Sequence, residues 1–197
     1  MIPLEFSVQE LDKHDLFLVM SSPSAIRKKN IDLIKIIIGN NFYVVVITAN
    51  QPYDILKKSY EKSGIPLEKI FVIDTITRYA MGQETPAVKN CRFINNPANL
   101  TDIGIATTEM LKELQGKNVC LLFDSVNAML IYISSQNITK FIHFVTSKLR
   151  LLNFAGIFLA VEKGLDPDLL VQLTTFVDEV IDFDEVPAII PETQPPK

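Results

Sequence analysis

Several carboxylates stand where chemistry could be done. Asp74 closes the apolar run "KIFVID", Asp124 closes "NVCLLFD", and Asp182 or Asp184 closes or follows "EVIDF". Acids gathered at the ends of buried strands can hold Mg²⁺ for phosphoester chemistry. Asp124 is the sharpest case, because Ser125 follows it: an apolar run, an acid and a small hydroxyl form a pattern that helps to place Mg²⁺ beside phosphate. The structural alternative is that such an acid caps the helix that follows. A second element is basic: Arg27, Lys28 and Lys29 in "IRKKN" follow Ser21 and Ser22, and a helix start of that kind attracts anions. Its plain reading is a solvated helix start.

These residues need a frame. Apolar runs at 15–20, 43–48, 69–74, 118–124, 156–161 and 179–183 read as strands, and most lack alternation, as strands covered on both faces do. Helical patterns fall between them at 25–38, 52–64, 100–115, 137–153 and 166–176. Their order predicts a three-layer α/β/α domain with a mainly parallel central sheet over residues 1–185. Residues 76–99 break the rhythm, with a short strand expected around Cys91–Ile94, and are expected to be the most mobile part. The proline-rich stretch 186–197 reads as a disordered tail.

In such a sheet ligands bind at the carboxyl ends of the strands. That singles out Ser21 and Ser22, Ala49 to Gln51, Asp74 and Thr75, Asp124 and Ser125, and Glu162 and Lys163. His14 precedes a strand and His143 lies within a helix, so neither sits at that edge.

Composition narrows the classes. The chain has 197 residues, 23 acidic against 19 basic, and a net charge of -4. This balance argues against a nucleic-acid backbone binder, with Arg78, Lys89 and Arg92 the one place to look. Cys91 and Cys120 form neither a zinc pattern nor a disulfide framework. No apolar stretch is long enough to span a bilayer, and residues 1–15 do not read as a secretion signal. A reducing cytoplasm is the expected location.

Taken together, residues 14–185 resemble the RecA/KaiC-like branch of the P-loop ATPases, in particular its small, degenerate, mostly archaeal members. "VVVITANQPYDILKKSYEKSGIPLEKIFVIDTIT" is similar to the second strand, following helix and third strand of that branch. "FINNPANLTDIGIATTEMLKEL" resembles the segment leading to Walker B, and "NVCLLFDSVNAMLIYISSQNITKFIHFVTSKLRLLNFAGIFLAVEKG" the Walker B strand, long helix and next strand. "FVDEVIDFDE" resembles the closing strand. The resemblance implies a RecA-like P-loop NTPase fold, with Ser22, Lys28, Lys29, Asn30, Asp124 and Ser125 as the nucleotide-binding positions and Asp124 as the metal position.

Two departures set the functional expectation. The phosphate loop needs G-x-x-x-x-G-K-[ST], whose glycines let backbone N–H groups close around phosphate. With Lys28 at the lysine, Ser22 and Arg27 fall at the glycines and Lys29 at the hydroxyl. With Lys29 there, Pro23 and Lys28 fall at the glycines and Asn30 at the hydroxyl. Catalytic members also carry a Glu after the second strand, where this chain reads "TANQP". The expectation is a pseudo-ATPase: a scaffold for protein partners or self-association, needing no cofactor. Alternatives are a non-hydrolysing sensor that holds nucleotide, Mg²⁺ or an anion weakly, and an enzyme built on the strand-end acids.

Overall fold

The computed structural model describes residues 15–182. His14, Asp184 and the stretch 186–197 lie outside the described residues. Within them, seven strands form one sheet: β1 Leu16–Ser21, β2 Tyr43–Thr48, β3 Ile70–Asp74, β4 Cys91–Phe93, β5 Val119–Asp124, β6 Ala155–Val161 and β7 Glu179–Asp182. Their order is β4-β3-β2-β5-β6-β1-β7, and every neighbouring pair is parallel. All six expected strands are present, and the short strand expected near Cys91 is β4. Five of the seven strands are buried over almost their whole length, as continuous apolar runs covered on both faces require.

Seven α-helices are described: α1 Ile26–Gly39, α2 Tyr53–Lys62, α3 Thr77–Met81, α4 Leu100–Glu113, α5 Val126–Met129, α6 Ser135–Leu152 and α7 Pro167–Thr174. On one sheet face, Leu33, Ile34 and Ile37 of α1 and Leu56 and Tyr60 of α2 pack on Phe17, Val19, Val44, Val46 and Leu122. On the other, α4, α6 and α7 bury Ile103, Met110, Phe141, Val145 and Leu169 against Leu18, Val45, Leu121 and Phe123. The chain is thus the expected three-layer α/β/α structure.

Local chemistry sets the helix ends. Ser134 accepts from the Asn137 amide and starts α6 two residues earlier than its apolar spacing suggests. Asn153, at φ 53°, stops it in the left-handed region. Asp166 caps α7 and Pro167 opens it. The helices that the sequence pattern did not reveal, α3 and α5, are five and four residues long, too short to show a period.

The 76–99 segment is organised around Arg78. Its guanidinium bonds Glu84 at 2.8 Å, Thr85 at 3.2 Å and Asn95 at 3.1 Å, and lies over the Phe93 ring. Arg92 pairs with Glu113 at 2.8 Å. Two of the three cations that could have greeted nucleic acid are therefore matched by acids.

Candidate functional site

The connection from β1 to α1 is residues 22–25 alone. The Ser22 carbonyl accepts from the amides of Ala25, at 3.1 Å, and Ile26, at 3.2 Å. Pro23 has no amide to offer. These two bonds turn the amides of Ala25 and Ile26 back on the loop, so they close the segment into a turn.

Beyond the turn, α1 carries Asn30 on the same stripe as Leu33, Ile34 and Ile37, at the i, i+3, i+4, i+7 spacing of a buried face. Asn30 is buried, and its amide donates to Oδ2 of Asp124 at 2.8 Å. Its own oxygen accepts from the Tyr60 hydroxyl at 2.9 Å. A chain of Tyr60, Asn30 and Asp124 therefore links α2, α1 and the end of β5, with each donor direction fixed by the next group. Burial and the nearby Asp124 charge push the Tyr60 phenol up, so it stays protonated and donates.

Asp124 is 3% exposed. Burial raises its carboxyl from 3.8 to about 6, against the opposing pull of the Asn30 and Asn50 amides. The Asn50 side chain lies near enough to lower the carboxyl as a donor, though Oδ1, which is buried, meets no hydrogen-bond partner of strict geometry among the described residues. The Asp124–Ser125 peptide is cis.

The two leading acids divide the readings between them. Asp74 does what a strand-end cap does: Oδ1 accepts from the amides of Ile76 and Thr77, each at 2.8 Å, and Oδ2 from that of Tyr53 at 2.7 Å. Asp124 does not cap α5; that task falls to Ser125, which accepts from Ala128. Both acids lie level with Thr48 on β2, one on each side. They stand two strand spacings apart, roughly 9–10 Å. Among the described residues no group of three or more His, Cys, Asp or Glu side chains could hold a metal ion.

A cleft of about 190 Å³ opens over Asp124, lined by Arg27, Asn30, Ile31, Gln51, Ile55, Leu56, Ser59, Tyr60 and Asp124. Of the positions that the sequence suggested for nucleotide, Asn30 and Asp124 meet here. Ser22 lies in the closed turn with its hydroxyl 3.3 Å from that of Ser24, Lys28 is exposed, and Lys29 is half-buried; none of them lines the cleft. Gln51 does, the last of the three residues Ala49 to Gln51 singled out after β2. Thr48 holds it there, donating to the Gln51 carbonyl at 2.8 Å and accepting its amide at 3.2 Å. Tyr60 is the residue that sequence reasoning missed. A tyrosine on the buried stripe of a helix needs a partner for its hydroxyl, and that was the available signal.

A second depression, of about 650 Å³, runs between α4 and α6 on the opposite layer, lined in part by Gly104, Ile105, Phe141 and Phe144. Ile105 and Phe144 are exposed there.

The parallel order, with β6 set between β1 and β5, gives a three-layer α/β/α fold that matches RecA/KaiC-like structures. Solved structures share this fold. Uncharacterized protein PH0321 from Pyrococcus horikoshii, in complex with an unknown peptide, matches with a TM-score of 0.69 at 13% identity, over 91% of this chain and 81% of that one. KaiC-like protein PH0186 from the same organism matches at 0.59 and 12% identity, over 86% and 72%. The flagellar accessory protein FlaH from Methanocaldococcus jannaschii matches at 0.56 and 15% identity, over 86% and 71%. By sequence the chain belongs to a family of unknown function, DUF7504, matched over residues 39–183. That match begins at the last residue of α1, after the β1–α1 turn. No curated protein matches the chain.

Proposed function

We propose that this chain is a RecA/KaiC-like domain that does not hydrolyse nucleotide and serves as a regulatory or protein-interaction scaffold. The observation that carries the reading is the Asn30–Asp124 bond behind a closed β1–α1 turn. In the register that sets Lys29 at the loop lysine, a working phosphate site would have a hydroxyl at the position of Asn30 share Mg²⁺ with an acid at that of Asp124. Here an amide joins the two positions directly. Gln51 can orient a water but cannot take its proton. The apolar depression between α4 and α6, with Ile105 and Phe144 exposed, is consistent with a surface that meets protein. The peptide bound to PH0321 gives the same reading modest support. No described helix is long and apolar enough to cross a membrane.

Calorimetry of the full chain with ATP, ADP and GTP in the presence of Mg²⁺ tests the proposal. Heats no larger than dilution are expected, and micromolar binding of any of the three would overturn it.

The cleft over Asp124 favours one second reading, a ligand sensor without turnover. A buried carboxylate oxygen that makes no hydrogen bond of good geometry is costly unless something meets it.

A further inference from the structure

The depression between α4 and α6 is flanked by two matching stripes. Ile105, Glu109 and Lys112 on α4 and Phe144, Lys148 and Leu151 on α6 share the i, i+4, i+7 spacing of one helix face. Ile105 is 52% exposed, Phe144 40% and Leu151 81%, although all three are large and apolar. Both helices carry the chain back between parallel strands, so they run side by side in the same direction. Gly104 sets their levels: a β-carbon there would stand 3.3 Å from the Phe144 ring, which places Ile105 and Phe144 abreast. Glu109 then stands level with Lys148, and Lys112 with Leu151. Neither Glu109 nor Lys148 has an ion pair among the described residues; the Lys148 ammonium lies 5.8 Å from the centre of the neighbouring Phe144 ring.

We propose that this face binds a second copy of the chain about a two-fold axis parallel to α4 and α6. The inference rests on the protein-interaction reading given above and names the partner. Such an axis lays α4 of each copy on α6 of its partner at the same level. Ile105 meets the partner's Phe144, Glu109 the partner's Lys148, and the alkyl stem of Lys112 the partner's Leu151, each contact being made twice. Apolar groups cover apolar groups, and an acid without a mate finds a base without one. An axis across the helices would instead set α6 on α6 and, centred on Phe144, bring Lys140 against the partner's Lys148. A second copy offers the complementary order of groups by construction. With 14 residues α4 is about 21 Å long, so the two-helix face is modest and the pair falls at the small end of stable interfaces. Association in the micromolar range follows.

Sedimentation velocity of the full-length chain from about 5 to about 500 µM tests the assignment. The expected result is a reversible shift from monomer to dimer that ends at the dimer, because a two-fold contact closes on itself. Ile105→Glu should weaken the dimer at least about tenfold while leaving thermal unfolding of the monomer little changed, since the site is open. Glu109→Lys and Lys148→Glu should each weaken it by about tenfold, since each sets two pairs of like charges face to face. Mixing those two variants in equal amounts should restore the dimer, because each offers the charge that the other has lost. A general loss of stability would give no such rescue. A chain that stays monomeric at about 500 µM overturns the proposal and leaves the face to a different protein. Growth past the dimer, a dimer that all three variants leave intact, or charge variants that stay apart when mixed would overturn it too. Micromolar nucleotide binding in the calorimetry above would instead defeat the scaffold reading and leave the dimer in place, so the two failures are distinct.

Discussion

The amide of Asn30 donates to the carboxylate of Asp124 at 2.8 Å, across 94 positions of sequence. The bond joins the first turns of α1 to the end of β5. With Tyr60 behind it, the linkage fastens both helices of one layer to the sheet.

Removing the centre of that chain should be felt throughout. Asn30→Ala leaves Oδ2 of Asp124 and the Tyr60 hydroxyl buried without partners, and should cost roughly 1–3 kcal/mol in urea unfolding. Tyr60→Phe should cost about 1 kcal/mol. The double variant should lose less than the sum, because the two residues share one bond. Strict additivity would show that the chain of hydrogen bonds is not a unit.

Asp124 also sets a pH dependence. Its carboxyl is raised from 3.8 to about 6 in the folded chain, so the native state holds its proton more tightly than the unfolded state does. Below about pH 4 both states are protonated and the group is neutral in effect. As pH rises through 6 the folded chain must carry a buried charge, at a cost of at most roughly 3 kcal/mol. Stability of the wild type relative to Asp124→Asn should therefore decline between pH 4 and 7 and then level off. A difference that stays flat across this range would contradict the burial described.

Arg78 organises residues 76–99 through Glu84, Thr85 and Asn95, all at least partly open to solvent. Arg78→Ala should lower global stability by less than about 1 kcal/mol, since such pairs are screened. It should nonetheless speed limited proteolysis within 82–90 several-fold, because local opening is governed by these contacts. Unchanged cleavage would mean that α3 and β4 hold the segment without it.

The frame of this domain was plainly written in its sequence. Runs such as "YVVVIT" and "NVCLLFD" can only be strands covered on both faces, and their spacing leaves room for helices between. Asp124 stood out because an acid ending such a run needs a reason to be there. Its partner was less visible: Asn30 sits in a run of charged residues, and only its spacing from Leu33, Ile34 and Ile37 places it inward. Tyr60 was hidden for a further reason, since its tie to Asn30 is made by packing two helices side by side. The difference between Asp74 and Asp124 could not be read locally either. Both end buried strands, and which one caps a helix depends on where the following chain turns.

Phosphate release from Mg-ATP by the purified full-length chain tests the central claim most directly. Release indistinguishable from that of Asp124→Asn, and from buffer, is the predicted result. Steady release by the wild type that Asp124→Asn abolishes would show that the closed turn opens and that the Asn30–Asp124 bond yields to a metal.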